Sequence, residues 1–182
     1  KELLLWGHGL FGSGPPIVEA TETQVLAETL AQPMAATDWH GMSSKDLVFL
    51  MTELADVSNF YMVGENLQQG MIIQNALTRS LIGTCADDPD FVRNDGGRAI
   101  SASNPRFIGI SQGSILGGTF LTQSPDIDRG VLIVGGANFS FMIERSIHFN
   151  TYETFLMPAY GKRLVSAQLM AFSQHVWDNA ET

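Results

Sequence analysis

Ser111 stands between two glycines in Gly109-Ile110-Ser111-Gln112-Gly113, the pattern G-x-S-x-G. A serine hydroxyl becomes a nucleophile once a base takes its proton. Backbone N–H groups beside it can hold the negative charge that the attack creates. The spacing suits a strand that turns sharply into a helix. Such a turn brings two backbone segments together, and side chains at Gly109 and Gly113 would obstruct them. The turn also lifts the hydroxyl clear of its neighbours, while the helix start offers unpaired N–H groups. The competing reading is a serine in an ordinary strand-to-helix turn.

A second candidate loop, Gly7-His8-Gly9-Leu10-Phe11-Gly12-Ser13-Gly14, follows the apolar run Leu3-Leu4-Leu5-Trp6. Gly7-x-Gly9-x-x-Gly12 fits a dinucleotide fingerprint after a strand. That chemistry needs a helix to begin inside the motif and meet a pyrophosphate. Here Ser13-Gly14-Pro15-Pro16 prolongs the loop, and His8 puts a ring where close backbone approach is needed. No Gly-Lys-Ser/Thr follows, which excludes a P-loop.

The elements that must position these loops can be read from periodicity. Residues 2–6, 34–37, 107–110 and 130–134 are short apolar runs expected to be strands, the first and last of them buried. Helical spacing covers residues 17–32, ended by Pro33, then 44–61, 67–82, 114–122 and 164–177, with Gly64 expected to break the chain between the second and third. Residues 83–98 form a polar loop whose aspartates lack the spacing of a calcium hand. Residues 139–158 read as an irregular aromatic stretch, either a lid or cap portion over an apolar substrate or ordinary core. Alternation of this kind predicts an α/β fold: a parallel sheet with helices on both faces, a three-layer αβα arrangement.

The two loops sit where one family places them. His8-Gly9 ends one strand, and Gly109 to Gly113 ends another two places later. The chain resembles the α/β-hydrolases, in particular bacterial esterases and lipases. The resemblance runs over nearly all of residues 1–182 but only the middle of that fold, so the sheet is expected to be incomplete. It implies that Ser111 is the nucleophile of a carboxylic ester hydrolase. It implies that the backbone N–H groups of Leu10 and Gln112 form the oxyanion hole, with Phe11 as the alternate to Leu10. His8 and Gly9 support that loop. No cofactor is implied, and the partner is a small-molecule ester with an apolar acyl group.

The resemblance also requires a carboxylate and a histidine after the serine. After the strand at 130–134 the chain offers Asn138, which is not an acid. His148 and His175 follow Ser111 and are the in-chain candidates for the base; the acid and base are otherwise expected beyond Thr182. The alternative reading is a non-catalytic binding module of the same fold.

Composition narrows the field. A hydrophobic content of 45% argues against disorder, and a net charge of −9 with ten scattered basic residues argues against a nucleic-acid partner. One cysteine, Cys85, permits neither an internal disulfide nor a cysteine-based zinc site, and no metal site is expected. No apolar run reaches the ~18 residues of a membrane span, and the segment gives no sign of its compartment.

Overall fold

The computed structural model describes residues 1–181. Its centre is a sheet of four parallel strands, β1 (Leu4–Gly7), β2 (Met34–Ala36), β3 (Arg106–Ile110) and β4 (Gly130–Ile133), in the spatial order β2-β1-β3-β4. Gly7 lies opposite Gly109, and Ile110 opposite Ile133, so β1, β3 and β4 end nearly level. Helices pack on both faces, which gives the three-layer αβα architecture expected from the alternation. From β1 the chain runs to β2 on one side, then crosses to β3 on the other. The crevice beyond the carboxyl ends of β1 and β3 is therefore the topological switch point of the sheet.

Helix α5 (Gln112–Gln123) leaves β3 at once and packs back over β3 and β4. Beneath it Phe107, Trp39 and Phe120 form an aromatic cluster, with ring centroids 5.3 Å apart for Phe107–Phe120 and 6.4 Å for Trp39–Phe107. These edge-to-face and tilted contacts add specific packing to the burial of large apolar rings.

Several elements differ from the sequence expectation. The first helical region is two helices, α1 (Gly14–Glu19) and α2 (Thr21–Leu30), separated by Ala20 in extended conformation. The first starts early because Pro15 and Pro16 occupy its opening positions, where their fixed φ suits a helix and no N–H is missed. Residues 44–61 divide into a short 3-10 turn, α3 (Leu47–Ala55) and a second 3-10 turn. Gly64 does not break the chain. It lies inside α4 (Tyr61–Ile82), where a Cβ would stand 2.9 Å from Val176 Cγ1. Val176 belongs to α8 (Arg163–Trp177), so the glycine serves a close helix–helix approach.

The aromatic stretch after residue 138 is not irregular. It forms α6 (Phe139–Ile143) and α7 (Phe149–Tyr160), and α7 packs against α3 and α8. Strand β4 was expected to be buried and is instead exposed along its length, with Val131 58% accessible. Among the described residues it ends the strand order and pairs with β3 alone. In the polar loop, Asp87 pairs with Arg98 and Asp95 with Arg93, while Asp88 accepts from the Asp90 N–H. Among the described residues no helix is long and apolar enough to cross a membrane.

Candidate functional site

Ser111 is the single residue between β3 and α5, with φ 56° and ψ −119°. A non-glycine residue rarely takes this conformation, which costs about 1–3 kcal/mol and persists only where its surroundings fix it. The surroundings are backbone hydrogen bonds on both sides. Ser111 N–H donates to the Ile133 carbonyl at 2.9 Å, and its own carbonyl accepts from the Ser114 and Ile115 N–H groups at 2.9 and 3.1 Å. Two glycines make room for the turn. A Cβ at Gly109 would collide with the Gly113 carbonyl, and one at Gly113 with the Gly7 carbonyl. The serine is partly exposed, while Gln112 after it is buried.

The loop after β1 is stitched to the loop after β2. His8 is fully buried. Its Nε2 accepts from the Trp39 N–H at 2.8 Å, and its Nδ1 lies 2.8 Å from the Gly9 carbonyl. This pairing assigns the proton to Nδ1 and uses both ring nitrogens. Burial pulls the His8 pKa below its ordinary value, against the opposing pull of the Gly9 hydrogen bond and of Asp38 and Asp46. Phe11 N–H donates to the Met42 carbonyl at 3.2 Å, and Ser44 N–H to the Gly12 carbonyl at 2.9 Å. The Gln112 side-chain amide also reaches the Met42 carbonyl, at 3.4 Å, so this one oxygen ties both loops to the start of α5.

Asp38 completes the stitching. Its Oδ1 accepts from Ser13 Oγ and from the Gly14 N–H, both at 2.7 Å, and Lys45 Nζ lies 2.9 Å from its Oδ2. Burial would raise its pKa, but the hydrogen bonds from Lys45, Gly14 and Ser13 outweigh that and hold it below the usual carboxylate range. The start of α1, where the dinucleotide fingerprint would need a pyrophosphate, already holds this carboxylate.

Among the described residues the N–H groups of Leu10 and Gln112 meet no acceptor, whereas Phe11 spends its own on Met42. Leu10, Ser111 and Gln112 line one cleft of about 100 Å³. Its other lining residues are Ile115, Val134 and Phe139, Met142 and Ile143 of α6, with the half-buried Ser146 and the exposed His148 at the rim. The cleft is thus lined by a serine, by two residues whose N–H groups meet no acceptor, and by apolar side chains. That combination suits attack on a carbonyl carbon with charge left on its oxygen.

The histidines separate by position. His148 precedes α7, is exposed, and is the one described histidine on the cleft. His175, exposed on α8, does not line it. Asp178, three residues on, accepts from Gln174 Nε2 at 2.9 Å and so is engaged elsewhere. His40 is half-exposed and faces Asp46, with Nδ1 3.9 Å from its carboxylate. No carboxylate lines the cleft among the described residues, and the expected positions beyond Thr182 lie outside them. One acid comes near α6 unforeseen: Glu181 accepts from the Phe139 N–H at 2.9 Å and from Gln174 Nε2. Nothing in the local sequence signals it, because the contact joins residues 42 apart.

Comparison with protein-family models, with curated proteins and with solved structures gives no match to this chain.

Proposed function

We propose that this chain belongs to a serine hydrolase of the α/β-hydrolase type that cleaves carboxylic esters through an acyl-enzyme on Ser111. The observation that carries the reading is the backbone of Ser111. Its φ of 56° is held between two glycines with no room for side chains, at the switch point of a parallel sheet. Strain of this kind at a partly exposed serine is costly to keep unless the hydroxyl has work to do.

In this mechanism Ser111 Oγ attacks the ester carbonyl carbon and its proton passes to a histidine base. The carbonyl π electrons move to oxygen, and the resulting oxyanion accepts hydrogen bonds from the Leu10 and Gln112 N–H groups. As the C–O bond to the alcohol breaks, the base returns its proton to the leaving oxygen. Water then attacks the acyl-enzyme in the same manner, releasing the carboxylic acid and restoring the serine. The base has two sources that experiment separates: His148 on the cleft rim, or a histidine beyond Thr182. Ser111→Ala in the complete protein should abolish ester hydrolysis while leaving the melting transition in place; wild-type turnover by that variant would defeat the assignment.

One observation favours the second reading, a non-catalytic binding module. The described cleft pairs no carboxylate with its histidine. Active-site labelling of Ser111 discriminates the two.

A further inference from the structure

The cleft over Ser111 is small, and its walls of Leu10, Ile115, Val134, Phe139, Met142 and Ile143 carry no charge. We propose that the site takes short, uncharged acyl chains and that Met142 sets their length. The inference rests on the ester-hydrolase reading above and names the substrate class of that site.

Size decides the class. An apolar cavity of about 150 Å³ holds benzene, with six non-hydrogen atoms. The Ser111 cleft measures about 100 Å³. On that scale it holds about four non-hydrogen atoms, between the roughly three of an acetyl and the roughly five of a butyryl group and well short of the roughly nine of octanoyl. Chemistry agrees with size. A charged acyl group would lose its hydration against these apolar walls without a counter-charge. The polar rim of Ser146 and His148 is left for the alcohol half.

Met142 lines the cleft from α6. A Cβ on Gly136 would lie 2.7 Å from its Sδ, so the thioether is packed tightly against that backbone. Its N–H donates to the Asn138 carbonyl at 3.1 Å, which fixes its place on α6. Ile143 beside it is 3% accessible and belongs to the core. Met142 is half-buried, so truncating it opens the cleft with less damage to the fold. Truncation to alanine removes the thioether and its methyl group from a residue that lines the cleft.

The test is a series of p-nitrophenyl esters, from acetate to dodecanoate, hydrolysed by the complete protein. The proposal expects kcat/KM to peak at butyrate or below, with octanoate at least about tenfold lower. In Met142→Ala the butyrate-to-octanoate gap should close to within about threefold. Should that variant fail to fold, Met142→Val must shift the ratio in the same direction. A wild-type rate that stays level or rises to octanoate would overturn the proposal and leave ester hydrolysis standing. An unchanged ratio in folded Met142→Ala would remove Met142 from the role. Absence of turnover on every ester, together with no labelling of Ser111, would remove both the proposal and the reading beneath it.

Discussion

The carbonyl oxygen of Gly7 occupies the place where a side chain on Gly113 would begin. This contact joins the end of β1 to the first turn of α5, and so sets the distance between the two loops that flank the cleft. Gly113→Ala should force these backbones apart. Overpacking of this kind costs about 1–3 kcal/mol. For a chain of this length that lowers the melting temperature by roughly 2–12 °C, measurable by calorimetry. Ester turnover should fall further than stability, because the Leu10 N–H moves away from Ser111. A variant with wild-type melting and wild-type turnover would show that the contact positions nothing.

Ser111→Gly should separate stability from function. Glycine takes φ 56° and ψ −119° without a Cβ penalty, so relief of strain should outweigh its added unfolded-state entropy by about 1 kcal/mol. The melting temperature should rise by about 2–4 °C while hydrolysis is lost. A drop in stability would mean that the serine side chain holds the turn, rather than the turn holding the serine.

The buried His8 predicts an acid limit. Its folded pKa lies below the ordinary value, because burial disfavours the charged ring. A protonated ring would also present a donor to the Trp39 N–H, itself a donor. Between the folded pKa and the unfolded value of about 6.5, the unfolded state binds more protons. Stability contributed by His8 is therefore complete above about pH 6.5 and falls as pH drops through that window. Asp38 adds a second limit lower down: its depressed pKa gives stability present above about pH 4 and lost on further acidification. Denaturant midpoints from pH 8 to 5 should fall in the wild type. A flat profile over that range would contradict the neutral, buried assignment of His8.

His8→Ala should be severe at any pH. It leaves the Trp39 N–H without its partner in a buried setting and opens a ring-sized void. The two effects together cost about 3–5 kcal/mol. Loss of less than about 1 kcal/mol in equilibrium unfolding would mean that the loops hold without it.

Much of this architecture could be read in the residues themselves. Leu3 to Trp6 and Phe107 to Ile110 announce central strands because parallel strands covered on both faces are apolar throughout. Gly109 and Gly113 announce the turn by their spacing around Ser111. What stayed hidden depends on distant partners. Gly64 reads as a helix breaker until Val176 is seen beside it. Phe11 stands as the alternate to Leu10 until the Met42 carbonyl is seen to take the Phe11 N–H. Val131 to Ile133 have the composition of a buried strand, and only the sheet order shows that they form an exposed edge. The helices α6 and α7 were masked by their aromatic content, and α7 by Pro158, which its last turn tolerates.

The most direct measurement is active-site labelling with a fluorophosphonate, followed by peptide mapping, on the complete protein and on residues 1–182, with Ser111→Ala as control. A single adduct on Ser111 is expected in the complete protein and none in the control. The same adduct on residues 1–182 would assign the base to this segment and put His148 first. No adduct on Ser111 in either folded protein would contradict the nucleophile assignment and leave a binding module in its place.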